Sequence, residues 1–304
     1  RIKGTFYTVS SVVPYLKAKG IKAKVYPSVD YLKGAFRINK SAIAVSSWGD
    51  LRKANFSNRP IILFEHGTGQ TYSNRHTSYA GGRGRENVRL FLCPNELVAN
   101  KNKQNYPGAR IKVVGCPKMD EFYLKEKVHN NEPVIAVSFH WDCQVCPETK
   151  TSFDYFKDGV LELTKKYKVL GHAHPRIWNK ISPWYKQNGI ERIWSFEDIM
   201  DKADVYIIDN SSTLFEFASL DKPVVVLNPP WYRREINHGL RFWEFADVGV
   251  NCNNGGKLAS CVDKALDDPS EIQKRRRQIN NILYPIRDGS SSERAANEIE
   301  KIFT

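Results

Sequence analysis

The chain has 304 residues, with 46 Lys+Arg against 33 Asp+Glu, a formal net charge of +13, and 41% hydrophobic against 26% charged residues. Domains run to about 100–200 residues, so this length predicts two of them, and the composition excludes wholesale disorder. No run approaches the ~18 consecutive apolar residues of a membrane-spanning helix and no signal-peptide core stands out, while the start at Arg1 without a Met is compatible with a missing upstream segment.

The predicted elements alternate short β-rich runs with helices, the pattern of parallel sheets covered on both faces. The first series of strands is expected at 5–9, 22–26, 42–46, 61–64, 89–93 and 111–114, with helices at 12–19 and 95–105 between them. The polar stretch 125–133, with mixed charge, paired Asn and a Pro, reads as an interdomain linker. A second series follows at 134–138, 167–171, 192–194, 205–209 and 224–227, with helices at 153–165, 196–201, 212–220 and 256–267. A closing helix is expected over 290–303, capped by its serine run. The expected fold is α/β: two Rossmann-like, doubly wound domains facing across a cleft, 1–128 and 129–304, with the last helix able to cross back.

Charge divides the same way. Residues 1–128 hold 23 Lys+Arg and 8 Asp+Glu, a balance of +15, whereas residues 129–304 hold 23 and 25, a balance of −2. Confinement to one half favours an anionic partner there (nucleic acid, an anionic membrane surface or a phosphorylated acceptor) over a merely solvated basic face. Six scattered cysteines make no disulfide scaffold, and reduced thiols in the cytosol are the expectation. Cys143 and Cys146 form a lone C-x-x-C near His140, without a second ligand pair and with Pro147 directly after, so no structural metal or cofactor is expected.

Open α/β sheets bind ligands beyond the carboxyl ends of their strands. Strand 61–64 runs into Glu65-His66-Gly67-Thr68-Gly69-Gln70-Thr71. His66 there is either a general base for a hydroxyl or a cap on its loop. The basic stretch beyond, with Arg75, His76, Arg83 and Arg85, reads as surface-exposed, suited to grip phosphate or to be solvated. Gly171-His172-Ala173-His174-Pro175-Arg176 ends another strand. His172 and His174 would point to opposite sides, and Pro175 is expected to start a helix whose N-terminus places His174 and Arg176 where anions are favoured. The run Asp209-Asn210-Ser211-Ser212-Thr213 delivers hydroxyls to a helix start, a diphosphate cradle that needs no metal; ordinary capping by Asp209 or Ser211 is the alternative. Glu216 is placed to hold a ribose hydroxyl or else to be exposed.

The order of these motifs resembles the CDP-glycerol glycerophosphotransferase family, the enzymes that build or prime teichoic acid. The resemblance rests on His66-Gly67-Thr68, Gly115-Cys116-Pro117-Lys118-Met119-Asp120, His174-Pro175, Asp209-Asn210-Ser211-Ser212 with Lys222-Pro223-Val224, and Gly239-Leu240-Arg241-Phe242-Trp243-Glu244-Phe245. It covers roughly residues 60–250. Gly69-Gln70-Thr71 stands where the family commonly has Pro-Leu-Lys, and Phe139-His140-Trp141-Asp142 where a strand commonly ends Thr-Trp-Arg. The Asp-x-Ser start with Lys-Pro-Val is also similar to UDP-N-acetylglucosamine 2-epimerases of the same GT-B fold.

The resemblance implies a metal-independent GT-B transferase moving a glycerol-phosphate or related unit from a CDP-linked or other nucleotide-diphosphate donor to an acceptor hydroxyl. His66 and His174 are the expected catalytic residues. Arg176, Asp209, Ser211, Ser212, Thr213 and Glu216 are expected to hold the donor, and Gly67 and Thr68 to support the His66 loop. The basic half then meets an anionic acceptor, lipid-linked or polymeric, at the inner face of a cell membrane. A nucleotide-sugar glycosyltransferase or epimerase is the alternative. Nucleic acid is the less favoured partner, because no recognition helix or stacking motif accompanies the charge.

Overall fold

The computed structural model describes residues 6–9, 23–26, 43–46, 51, 60–65, 68, 85, 87–126, 130–142, 150–232 and 244–302. The chain forms two compact units: residues 1–66, 77–114 and 290–304 in one, residues 67–76 and 115–289 in the other. Residues 115–128, which the linker expectation left in the first half, thus cluster with the second, and the closing helix belongs to the first.

In the first unit, strands β1 (Phe6–Val9) and β2 (Ala23–Tyr26) form a parallel pair. A second parallel sheet runs β3 (Ile43–Val45), β4 (Ile61–Phe64), β5 (Val88–Cys93), β6 (Arg110–Val113) in that order. Side chains alternate across a strand, so β4 and β5 feed two apolar layers. Ile61, Leu63, Phe91 and Cys93 pack with Val98 and Ala99 of α1 (Glu96–Asn105), whose first turn is capped by the Asn95 side chain accepting from the Val98 N–H at 2.9 Å. On the other face Ile62, Leu90 and Leu92 pack with Ala295 and Ile299, which belong to a helix at 291–300 at the far end of the sequence. The predicted helix at 12–19 lies outside the described residues.

The second unit is a six-stranded sheet, parallel throughout, of β7 (Val134–Val137), β8 (Lys168–Gly171), β9 (Glu191–Arg192), β10 (Val205–Ile208), β11 (Val224–Leu227) and β12 (Val250–Cys252). Its spatial order is β12-β11-β10-β7-β8-β9. Read from β9, that is the 3-2-1-4-5-6 order of a dinucleotide-binding sheet, with its reversal between β7 and β10. Central strands with every residue buried need cover on both faces, and the described helices supply it. They are α2 (Asp120–Leu124), α3 (Phe153–Thr164), α4 (Trp178–Gln187), α5 (Phe196–Lys202), α6 (Thr213–Ala218), α7 (Leu258–Asp267) and α8 (Ser270–Leu283), with α9 (Ser291–Glu300) closing the first unit.

Several elements escape the sequence pattern. Helix α4 carries Pro183 in its interior, which costs a backbone donor, yet it buries Ile181, Ser182 and Tyr185 against the sheet. Pro175 does not open that helix: residues 175–177 form a turn closed by the Ile177 N–H donating to the His174 carbonyl at 2.9 Å, and α4 begins at Trp178. Helix α8 is strongly charged, and its buried anchor is Arg276, bonded to both Asp268 oxygens at 2.8 and 2.7 Å and to Asp221 at 3.1 Å.

Candidate functional site

Chain reversal between β7 and β10 opens a crevice at their carboxyl ends, because the connections from the two strands leave toward opposite faces. The residues directly beyond these strand ends therefore define the candidate site: Phe139-His140-Trp141 after β7, Asp209 to Thr213 after β10, and His172 to Arg176 after the neighbouring β8.

Asp209 spans the reversal. One carboxylate oxygen accepts the N–H groups of His140 at 2.8 Å and Asn210 at 2.9 Å; the other accepts the N–H and the hydroxyl of Ser152 at 3.1 and 3.2 Å. The side chain is fully buried, and burial pushes its carboxyl above the usual range against those four donors. A carboxylate so enclosed has no edge to offer a phosphate, so the expectation that Asp209 contacts the donor is corrected: it ties the end of β7 to the start of α3. Asn210 extends the tie, donating to the Tyr232 hydroxyl at 2.6 Å, and that hydroxyl donates to the Lys150 carbonyl at 2.8 Å.

Three histidines surround the carboxyl end of β7 and β8. His172 is buried, its Nδ1 2.7 Å from the Ser138 hydroxyl, whereas His174 is half-buried. The two therefore do take different environments, and His174 is the accessible one. His174 accepts the Arg176 N–H at its Nδ1, 3.1 Å away, which leaves Nε2 to carry the proton of a neutral ring. His140 packs edge-on to His174 with ring centroids 5.1 Å apart. Burial lowers all three rings, His140 to about 3 and the others to about 4; the His174 charge adds to this at His140 and His172, and the Arg176 cation at His174. All three are neutral at pH 7. Arg176 itself is exposed, its guanidinium 4.0 Å above the Trp141 ring, which fixes the cation at the rim. Nothing in the spacing of Trp141 marked it as a site residue; the only signal was an aromatic directly after a buried strand.

The hydroxyls of Ser211, Ser212 and Thr213 are half-buried. The Thr213 N–H and hydroxyl both donate to Ser211 Oγ, at 3.4 and 3.0 Å, and Ser212 makes no side-chain capping bond at the start of α6. Glu216 proves buried, not exposed, and is held by Lys118 Nζ at 2.6 Å. Burial works to lower the Lys118 ammonium, but the Glu216 charge and hydrogen bond outweigh it and the cation is held above its ordinary value. Lys118, in the Gly115–Asp120 segment, also stacks over Phe196 at 5.2 Å. Glu216 thus keeps a charged partner inside its own unit.

His66 and Gly67 lie outside the described residues, as do Arg75, His76, Arg83, Cys143 and Cys146. Thr68 is buried, and its hydroxyl makes no hydrogen bond among the described residues. Arg85 is not on the surface as expected: it is 2% exposed and donates to Glu65 at 2.8 Å, while the Asn102 amide reaches the same carboxylate oxygen at 3.0 Å. A guanidinium committed to a buried carboxylate does not grip an external phosphate. Among the described residues, no group of three or more His, Cys, Asp or Glu could hold a metal ion, and no helix is long and apolar enough to cross a membrane.

Residues 141–301 match the family model described as CDP-Glycerol:Poly(glycerophosphate) glycerophosphotransferase. The chain is 22% identical over 244 residues to the minor teichoic acid biosynthesis protein GgaB of Bacillus subtilis (strain 168), covering 70% of this chain but only 26% of that longer protein. Among solved structures it superposes on the wall teichoic acid polymerase TagF soaked with CDPG at a TM-score of 0.65 and 15% identity, over 99% of this chain and 89% of that one. It superposes equally on the S. aureus MnaA–UDP co-structure, at a TM-score of 0.67 and 15% identity over 98% and 88%. At such identities the superpositions establish the GT-B fold, and the matched model covers more than half of the sequence. The chain belongs to the CDP-glycerol:poly(glycerophosphate) glycerophosphotransferase family.

Proposed function

We propose that this chain transfers a glycerol-phosphate unit from a CDP-linked donor to an acceptor hydroxyl, in the synthesis of a teichoic-acid-like polymer. The observation that carries this reading is the family match over residues 141–301, the stretch that contains both the Ser211–Thr213 hydroxyls and the His174–Arg176 turn. In this reading the second unit takes the donor. His174 donates through Nε2 to the diphosphate, Arg176 supplies positive charge at that rim, and Ser211, Ser212 and Thr213 add neutral donors. Asp209 positions and does not bind. Glu216, fixed by Lys118, accepts from a ribose hydroxyl.

His66 takes the proton of the acceptor hydroxyl. The acceptor oxygen bonds to the β-phosphorus as the bond from that phosphorus to the bridging oxygen breaks, and the electron pair leaves on CMP. Donors aimed at the diphosphate stabilise that departing charge. The excess of positive charge lies in residues 1–128, so an anionic acceptor, or the anionic membrane surface that carries it, docks on that side.

Release of CMP from CDP-glycerol tests the reading. His66→Ala should abolish turnover and leave CDP-glycerol binding intact; unchanged turnover removes the base assignment. Release of UDP or UMP from UDP-sugars, with no CMP from CDP-glycerol, overturns the donor assignment.

A further inference from the structure

At the carboxyl ends of β7 and β8, two neutral imidazoles are locked in opposite tautomers, and the reading above uses only one of them. Each lock is a bond to the backbone. His174 Nδ1 accepts the Arg176 N–H at 3.1 Å; an N–H can only donate, so the ring hydrogen sits on Nε2. His140 Nδ1 lies 3.0 Å from the Trp141 carbonyl oxygen, which can only accept, so there the hydrogen sits on Nδ1. The Nε2 of His140 is therefore a lone-pair nitrogen. It makes no hydrogen bond among the described residues, and the residue is half-buried, not enclosed.

The pair is also held in place. The His140 N–H donates to Asp209 at 2.8 Å, and the His174 N–H donates to the Phe139 carbonyl at 2.9 Å, which joins the ends of β7 and β8. The two rings meet edge to face with centroids 5.1 Å apart. Trp141 lies 5.9 Å from the His174 ring and carries the Arg176 guanidinium at 4.0 Å. Burial lowers the His140 ring to about 3, so its lone pair persists throughout the physiological range.

This lone pair has the wrong polarity for its surroundings. A nucleoside diphosphate at pH 7 presents only acceptor oxygens along its phosphates, and His174 Nε2, Arg176, Ser211, Ser212 and Thr213 are read as donors to them. An acceptor nitrogen beside those oxygens is repelled by them and needs a partner that donates. The diphosphate is flanked by the ribose on one side and by the alcohol of the donor on the other. Glu216 is assigned to the ribose, which leaves the alcohol, whose free hydroxyls donate.

We infer that His140 is a specificity residue whose Nε2 accepts a hydrogen bond from a free hydroxyl of the donor's alcohol headgroup. This role rests on the reading of the second unit as the CDP-glycerol site. It adds that the transferred group is selected for a hydroxyl as well as for its phosphate.

Steady-state CMP release is compared between CDP-glycerol and CDP-propanol, the same donor without the free hydroxyls. Wild type should prefer CDP-glycerol in kcat/KM by at least about ten-fold, the cost of leaving one desolvated acceptor unpaired. His140→Asn keeps an amide donor for the Trp141 carbonyl but has nothing at the Nε2 position, and its preference should fall about ten-fold. His140→Gln reaches the Nε2 position with an amide oxygen and should keep the preference within about three-fold of wild type. If His140→Asn does not fold, His140→Phe, which keeps a ring against His174, decides in its place. With CMP release from CDP-glycerol sustaining the donor reading, any of three results overturns the His140 role: no preference in wild type, an unchanged preference in His140→Asn, or an equal fall in His140→Gln. Absence of CMP release from CDP-glycerol by wild type overturns the donor reading, and the His140 role with it.

Discussion

Asp209 offers the sharpest quantitative test of how this site is held together. Its carboxylate is fully buried and satisfies four donors from three segments: His140, Asn210 and Ser152 twice. A hydrogen bond to a charged group nets about 1.5–3 kcal/mol, but burying the charge offsets much of the sum, so the four do not add. Asp209→Ala strands all four donors, and about 4 kcal/mol of destabilisation is expected, within the ~3–5 kcal/mol typical of removing one partner from a buried charged set. For a unit of this size that corresponds to a fall of roughly 8–16 °C in Tm. Asp209→Asn keeps the volume and one oxygen, and its amide can donate to Ser152 Oγ; only the Ser152 N–H is then orphaned, for about 2–3 kcal/mol. Urea titration of both variants, followed by tryptophan fluorescence, reads the difference directly. A loss below about 1 kcal/mol for Asp209→Ala would refute the idea that this carboxylate ties β7 to α3, since that is less than the cost of a single unsatisfied buried donor.

Three further expectations come from the packing. Arg85→Met leaves the buried Glu65 carboxylate with Asn102 as its side-chain partner among the described residues and should cost about 3–5 kcal/mol, whereas adding Glu65→Gln should restore most of it; equal losses in the single and double variants would contradict the pairing. Gly159 sits in α3 where a Cβ would lie 2.3 Å from the Gly255 carbonyl oxygen, so Gly159→Ala should destabilise by about 1–3 kcal/mol despite its better helix propensity, and a stabilised variant in thermal melts would refute that close approach. Burial raises the Asp268 carboxyl, but the Arg276 bonds and charge outweigh it and hold the group below its ordinary value. Its contribution is therefore present above the ordinary Asp range and lost as pH falls through the depressed value. Asp268→Asn should narrow the stability gap to wild type progressively below about pH 4; a gap constant with pH in acid titrations contradicts the ion pair.

Much of the second unit was legible without coordinates. Apolar runs such as Val205–Ile208 and Val224–Leu227 are long enough only for strands and too apolar for an edge, which dictates a covered parallel sheet. The strand-end positions of the hydroxyls at 211–213 and the histidines at 172 and 174 were legible because each follows an apolar run. Side-chain commitments were not. Arg85, read as a surface cation, is spent on Glu65, and Asp209, read as a ligand contact, is enclosed by donors from residues 57 to 69 positions away. Sequence shows that a charge exists; only tertiary contacts show whether it is already neutralised.

The sequence by itself determined the α/β alternation, the two-part organisation and the confinement of positive charge to residues 1–128, because these arise from local periodicity and composition. Tertiary structure decided the strand order that puts the reversal between β7 and β10, and the return of the chain's last helix to the first unit's sheet. It also decided which polar groups are enclosed by partners, as Asp209 and Arg85 are, and which stay accessible, as Arg176 does. Those outcomes depend on pairings between residues far apart in the chain, whose energies are set by burial and geometry that no local pattern encodes.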